Sequence, residues 1–420
     1  MSGKLQSVKG MNDLLPEQSP YWQFIERNLR EIARAYAYEE IRTPILEKTA
    51  LFVQSIGEQT DIVEKEMFAF EDTGGEHLCM RPENTASVVR ASVQHGLLHN
   101  TQARLWYMGP MFRRERPQKG RYRQFSQFGM EAFGWSGAEA DVEVMLAGAR
   151  IWKALGVKDV HLYINSLGSD QCRQRYRSAL VGYLEQHFTE LDADSQRRLQ
   201  SNPLRVLDSK NPDTRRVLEA APVITDYLDA EAADHFSRVC ALLEDADVEY
   251  TIDAALVRGL DYYTSTVFEW KTNKLGAQNT VCAGGRYDDL VERRGGRPTP
   301  ACGFAMGMER LVELLIEEDN PLAVHQLDAW FISLDAAAST VAFRLAESIR
   351  DAGLTVAMNH GVGKLKSQLK RADAGGARFA LILGQSEIEQ GVIQVKPLRG
   401  QFESQNVEFE KLADFLKTNV

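Results

Sequence analysis

In the stretch from Leu105 to Phe133, Arg113, Gln127 and Glu131 have the types and spacing to do chemistry. Side chains alternate along a strand with period two. That puts Leu105, Tyr107, Gly109, Met111 and Arg113 on one side of a first strand. Phe125, Gln127, Gly129, Glu131 and Phe133 fall on one side of a second. The connection from Arg114 to Arg123 holds Pro117 and Gly120, as a long hairpin loop should. Arg113 would end the first strand, where a guanidinium can grip a phosphate through two parallel hydrogen bonds. Gln127 and Glu131 flank the small Gly129, a gap that leaves room for a ligand. An amide beside a carboxylate suits a ligand bearing a cation or an N–H donor. From Arg113 to Arg123 there are six basic residues against one acid, Glu115, in a chain of net charge -10. The same pattern also fits a solvated hairpin with scattered charges.

Three further groups carry chemistry. Glu83 stands just before a helix start that Asn84 or Thr85 can cap; a glutamate there also fits plain compensation of the helix dipole. The string Val257-Arg258-Gly259-Leu260-Asp261-Tyr262-Tyr263 offers a cation and two phenols, and Gly259 lets the backbone bend or approach a ligand. A lone arginine in a strand is equally an ordinary salt-bridge partner. GFAMGMERLVELLIEE places glycines ahead of a helix, with Arg310 in its first turn at a free, ligand-facing position. It also reads simply as a glycine-kinked strand entering an amphipathic helix. VCAGGRYDDLVE reads as a turn at Gly284-Gly285, and no G-x-G-x-x-G or Walker A pattern occurs.

The elements that must position these residues follow from periodicity. Ser19 can cap a first helix, with Pro20 at its first position, and Trp22, Ile25, Leu29, Ile32, Ala33 and Tyr36 make its apolar face. YEEIRTPILEKTALF follows, its strand-like run broken by Pro44. Phe68 and Phe70 lead to a Gly74-Gly75 hairpin turn, and His77 to Met80 return as a strand. A helix from about 138 and a strand near VHLYINS precede charged helical segments from about 168 to 250, which read as an inserted helical subdomain. From about Asp328 strands and helices alternate, predicting a small α/β domain with a parallel sheet. Its Lys364, Lys366, Lys370, Arg371 and Arg378 form a basic cluster, which also fits a solvated face.

Length and composition set the bounds. The 420 residues suggest two or three domains, and 44% hydrophobic content is ordinary for a soluble enzyme. No apolar run is long enough to span a membrane, and the N-terminus has no apolar signal core. Five scattered cysteines without a C-x-x-C pair argue for reduced thiols in a cytoplasm and against a zinc site. The acidic balance leaves any nucleic-acid contact to local patches.

The motifs in order resemble a known family. F-R-R-E-R followed by R-Y-R-Q-F is similar to motif 2 of the class II aminoacyl-tRNA synthetases, and RERPQKGRYRQF resembles the bacterial histidyl-tRNA synthetases. The first helix and its proline-broken strand resemble motif 1, the dimer element of that class. Arg81-Pro82-Glu83-Asn84-Thr85 resembles the loop that holds the histidine amino group, with Asn84 where glycine is common. L-V-R-G-L-D-Y-Y matches a string peculiar to this family, and G-x-G-x-E-R is similar to motif 3. Ser126 stands where the family often has histidine; facing away from Gln127, it is expected to matter little to the pocket.

The resemblance implies an α+β class II catalytic core on an antiparallel sheet over residues 1–325, with the helical insertion at about 168–250 helping to clamp the tRNA acceptor arm. It implies an α/β anticodon-binding domain over 326–420. Arg113 and Arg258 would be the catalytic cations at the α-phosphate and the substrate carboxylate. Glu83, Thr85, Gln127, Glu131, Tyr262 and Tyr263 would complete the histidine pocket. Arg113, Glu115, Arg121 and Arg310 would hold ATP with Phe125 under the adenine, and Arg116 and Gln118 would meet the tRNA acceptor end. The reaction implied is histidine activation by ATP and transfer to tRNA(His), by a cytoplasmic homodimer. Magnesium is expected with ATP and no structural metal. Two alternatives remain: the synthetase-like regulatory subunit of ATP phosphoribosyltransferase, which typically lacks the last domain, and a tRNA-binding or structural protein on a dead synthetase fold, against which the intact Arg113, Arg258 and Arg310 speak.

Overall fold

The computed structural model describes residues 4–57, 60–276, 279–317, 327–399 and 403–419. The chain divides into two compact units, Met1–Asn320 and Pro321–Val420. The boundary expected after residue 325 lies outside the described residues.

An eight-stranded sheet organises the first unit, in the order Glu39–Glu40, Ala103–Phe112, Gln124–Phe133, Ala301–Gly307, Thr280–Arg286, Thr266–Thr272, Val160–Ser166, Tyr250–Ile252. The inner pairings are antiparallel and the two outermost are parallel. The hairpin forms as its alternation predicts, with Tyr107 opposite Gly129 and Gly109 opposite Gln127. Trp106, Phe128, Met130 and Ala132 pack on one face, against helices Ser19–Ala35 and Ala138–Leu155. Leu105, Tyr107, Met111 and Phe133 pack on the other with Tyr262, Tyr263 and Tyr287. Covered on both sides, the strand Gln124–Phe133 is buried almost continuously beyond Ser126. Its odd positions face the site and its even positions the helices. Gly156, at φ 68°, closes the helix Ala138–Leu155 with a left-handed cap that only glycine takes without strain.

Beneath the sheet a buried Arg286 ties the strands to that helix. It donates to Asp141 at 3.0 Å, to Asp288 at 3.1 Å and to the carbonyls of Trp135 and Gly137. Asp141 also takes His235 at 2.6 Å. The charge is compensated on every side, which a buried ion requires. A separate three-stranded sheet runs Leu46–Lys48, His77–Met80, Phe68–Glu71.

The insertion comprises helices Asp170–Gln186, Ala193–Ser201, Pro212–Leu218 and Ala230–Asp245. It is continuous with the core on two sides. Tyr176, Leu180, Leu199 and Val206 share a cluster with Tyr262 and Tyr263, while Phe236, Val239 and Leu243 pack with the helix Ala138–Leu155. Asp192 is its polar hub, accepting from Ser195, Ser209 and Thr214 hydroxyls at 2.6, 3.1 and 2.8 Å.

The second unit has a five-stranded sheet in the order Val356–Met358, Ala329–Ser333, Phe379–Leu383, Val392–Pro397, Gln405–Glu408. It is mixed where a parallel sheet was expected: the last two pairings are antiparallel. Residues 384–391 are too few for a parallel crossover, which takes about a dozen or more.

Other local expectations change too. Ser19 does not cap its helix; its hydroxyl donates to the Leu15 carbonyl at 3.3 Å. Neither Asn84 nor Thr85 caps the helix Thr85–Gln94: Glu83 accepts from the backbone N–H groups of Thr85 and Ala86 at 2.6 and 3.0 Å. Gly284 and Gly285 lie inside the strand Thr280–Arg286. A Cβ on Gly284 would come within 2.2 Å of the Gly303 carbonyl, so these glycines serve close strand approach. Arg258 and Gly259 lie in a loop between the strands Tyr250–Ile252 and Thr266–Thr272, not in a strand.

Candidate active site

One cavity of about 260 Å³ lies over the hairpin. Glu83, Thr85, Arg113, Glu115, Arg121, Phe125, Gln127, Glu131, Arg258, Tyr262, Tyr263 and Arg310 all line it. These come from a helix start, the hairpin, the 254–265 loop and the helix Met308–Glu317, which the sheet order brings together. Arg116 and Gln118 are exposed on the hairpin loop, outside that lining.

At one end the polar groups are buried and locked. Thr85 donates to Glu131 Oε1 at 2.7 Å, and the Tyr287 hydroxyl donates to Oε2. Gly303, opposite Glu131 in the ladder, leaves room for that carboxylate; a Cβ there would sit 1.9 Å from Oε2. The gap expected at Gly129 is not ligand space. The Tyr107 ring fills it, at 2.4 Å from where a Cβ would be. Gln127 Oε1 is buried without a hydrogen-bond partner, a cost that a ligand N–H would relieve. Tyr262 and Tyr263 meet in a tilted contact with ring centroids 4.7 Å apart, and Tyr287 meets Tyr262 edge-on at 5.6 Å.

Burial pushes the Glu131 carboxyl up to about 8; the Thr85 and Tyr287 hydroxyls pull it back, and Glu83 adds to the rise. The folded state therefore holds this proton at pH values where the unfolded chain has released it. Stability falls as pH rises from the ordinary carboxylate range toward 8. Glu131→Gln removes that penalty. Its thermal midpoint should match the parent's near pH 5 and exceed it by a few degrees at pH 8.5. A constant gap between the two pH values would show that Glu131 does not titrate this way.

The other end is basic. Arg113 donates from Nε to the Pro82 carbonyl at 2.9 Å and lies 5.2 Å from the Phe125 ring centroid. Arg121 pairs with Glu115, with Glu66 at 3.6 Å. Arg258 pairs with Glu269 and lies 5.5 Å from the Tyr263 ring centroid. Arg310 is not free as expected; it donates to the carbonyls of Gly120 and Thr280, tying the hairpin loop to the sheet. Burial lowers the Arg113 guanidinium, and Arg258 lowers it further against the opposing Glu66 and Glu83. Burial, then Arg113 and Arg121, lower Arg310. Such crowded cations favour an anion between them.

Sequence reasoning missed Tyr287 and Glu309 as cavity residues and Tyr107 as the ring over Gly129. Glu309 lines the cavity, accepts from the Ser126 backbone N–H at 2.8 Å and has a buried Oε2 without a partner. Burial pushes its carboxyl up to about 7. The pairing of Tyr107 with Gly129 was within reach, because both lie on the same alternating face. Nothing in the local sequence points Tyr287 at Glu131, more than 150 residues away.

A family model for histidyl-tRNA synthetases matches residues 10–311. The chain belongs to the histidyl-tRNA synthetase family. A model described as an anticodon-binding domain matches residues 328–419 of this family member. Among solved structures, the apo histidyl-tRNA synthetase of S. aureus is 36% identical, with 98% of this chain and 100% of that one covered and a TM-score of 0.82. A Bacillus halodurans chain titled as an ATP phosphoribosyltransferase regulatory subunit/histidyl-tRNA synthetase is 24% identical, with coverage of 91% and 99% and a TM-score of 0.67. A Nostoc histidyl-tRNA synthetase is 19% identical, with coverage of 99% and 100% and a TM-score of 0.71. The last two share the fold.

Proposed function

We propose that this family member is a histidine–tRNA ligase. The carrying observation is one cavity with an amide–carboxylate–phenol end at Gln127, Glu131 and Tyr262–Tyr263 and a guanidinium end at Arg113, Arg258 and Arg310. Histidine has ring N–H groups for the first and a carboxylate for the second, where the ATP phosphates would lie. A histidine carboxylate oxygen attacks the α-phosphorus, the bond to the bridging oxygen breaks, and pyrophosphate leaves. The protein's part is positioning and charge stabilisation. Arg113 and Arg258 offset the charge growing on the α-phosphate, Phe125 and Arg310 hold the nucleotide, and Glu115 orients Arg121. The terminal ribose hydroxyl of tRNA(His) then attacks the histidyl carbonyl carbon and AMP leaves.

Magnesium arriving with ATP would shield the β- and γ-phosphate charge. The unpartnered Glu309 oxygen fits one protein ligand to a metal held chiefly by phosphate and water. Among the described residues no cluster of three or more metal-ligating side chains occurs.

Histidine-dependent exchange of pyrophosphate into ATP tests the reading. Exchange with histidine alone among the standard amino acids supports it. No exchange would favour the regulatory-subunit reading. The reading includes a homodimer. Ile45, Leu46 and Phe70 are 41%, 46% and 45% exposed beside the three-stranded sheet, an apolar surface that a second copy would cover.

The C-terminal unit separates the two steps. A chain ending at Leu322 keeps every cavity residue. It should form histidyl-adenylate at near the parent rate and charge tRNA poorly. Full charging at low tRNA concentration would remove the anticodon-reading role from this unit.

A further inference from the structure

We infer that Arg205, in the helical insertion, is a positioning residue that holds the Arg258 loop for adenylate formation; this rests on the ligase reading above. Arg205 sits on the short turn Pro203–Val206, whose Pro203 and Val206 are buried. Its guanidinium reaches out of the insertion in two directions. It donates to the Gly259 carbonyl, next to Arg258, and to Asp61 Oδ2 at 3.3 Å. Asn202, three residues earlier, donates to Asp261 Oδ1 at 3.4 Å. Arg198 in turn donates to the Arg205 carbonyl at 3.4 Å, so the turn is braced from behind.

The loop needs such a brace. On one side it is anchored by the Asn165 amide, which donates to the Leu256 carbonyl at 3.1 Å. On the other, the Asp261 N–H donates to the Ile56 carbonyl at 3.0 Å. Between these anchors, Arg205 grips the backbone one residue from Arg258. Gly259 is not held in a left-handed turn, and among the protein atoms around it a Cβ would meet only Arg205, at 3.7 Å. Its carbonyl is the handle.

Arg258 is a partition between two spaces. It lines the main cavity and also a crevice of about 110 Å³ behind the loop, walled by Asp61, Arg198, Arg205 and Asp208. Removing the Arg205 guanidinium enlarges that crevice and frees the Gly259 carbonyl. Arg258 can then swing back from the α-phosphate toward Asp61 and Asp208. A misplacement of about 1 Å is enough to cost on the order of a hundredfold in rate. Asp61 opens the segment Ile62–Glu66, whose Glu66 lies 3.6 Å from Arg121, so the brace and the hairpin loop share one support.

Arg205→Ala should lower kcat for histidine-dependent pyrophosphate exchange by about ten- to a hundredfold, with KM for ATP within twofold of the parent. Arg205→Lys should recover part of the loss, since a point charge can reach the carbonyl or Asp61 but not fork to both. The double variant with Arg258→Ala should be no slower than Arg258→Ala alone, because Arg205 acts through Arg258. Full additivity, or Arg205→Ala within twofold of the parent, overturns the assignment. Should Arg205→Ala fail to fold, Arg205→Lys decides: a severalfold loss in kcat at an unchanged thermal midpoint supports the role, and no loss overturns it. A parent chain without any exchange activity sinks the ligase reading instead. The brace is then read from amide hydrogen exchange at residues 257–261, which Arg205→Lys should raise severalfold; unchanged protection overturns it.

Discussion

Arg258→Ala is expected to lose histidyl-adenylate formation by about a hundred- to a thousandfold, the usual effect of removing one preorganised donor from a developing charge. Arg258 and Arg113 line the same cavity from different parts of the chain, the 254–265 loop and the end of a hairpin strand. Neither is tied to the other, so both can face one phosphate. Arg258 is also paired with Glu269, the ordinary salt-bridge role that an isolated arginine would have. The two roles make different predictions. Glu269 keeps Thr280 at 3.0 Å and Lys271 at 3.4 Å when Arg258 is removed. The carboxylate is therefore not left buried alone, and folding and tRNA binding should survive. Arg258→Lys should recover only part of the rate, because an ammonium cannot copy a planar fork. Charging from pre-formed histidyl-adenylate should suffer less than adenylate formation. Exchange by Arg258→Ala within a few-fold of the parent would leave Arg258 as a salt-bridge residue only.

The hairpin was the most legible element. Strict alternation over two runs fixed which side chains of Leu105–Phe112 and Phe125–Phe133 share a face, and one face is buried against helices, so the register has no freedom to slip. What alternation cannot give is what stands above a glycine. Gly129 looked like open space and is covered by Tyr107, while the space that matters is over Gly303, from a strand 170 residues later. Long-range register is set by sheet order, and sheet order is not written locally. The same holds for Arg310. Its helix was legible from period and glycines, but its carbonyl partners at Gly120 and Thr280 come from two other segments. Arg258 reads as a strand residue in the sequence, but it lies in the 254–265 loop, whose apolar and aromatic residues do not extend a sheet. They instead pack into the cluster shared with the insertion. Glu83 shows a different limit: its carboxylate caps a helix and also lines the cavity, so its place just before the helix does not by itself choose between the two readings.

Glu131→Ala is the second large effect expected, a loss in kcat/KM for histidine of about a hundredfold or more, on the order of 3 kcal/mol for a charge-assisted contact. The loss should fall on the histidine KM and leave ATP affinity little changed, because the arginines that would hold the nucleotide lie at the far end of the cavity. Part of the effect is indirect. Glu131 accepts from both Thr85 and Tyr287, and its removal strands two hydroxyls and opens space over Gly303. Glu131→Gln keeps the shape and separates the two causes. Its amide oxygen can still accept, but it cannot ionise. The pH profile then carries the decisive information. The parent carboxyl, pushed up to about 8 by burial, is largely protonated near neutrality in the free protein. If the ionised form accepts from the imidazole N–H, kcat/KM for histidine rises with pH until the carboxyl is ionised, since that parameter reports groups of the free enzyme. Glu131→Gln should be low and flat across the same range, while its stability gains on the parent's. An unchanged histidine KM in Glu131→Ala, or a parent profile that is flat from pH 6.5 to about 9, would take Glu131 out of contact with the substrate and leave it as the hydrogen-bonded floor of the cavity.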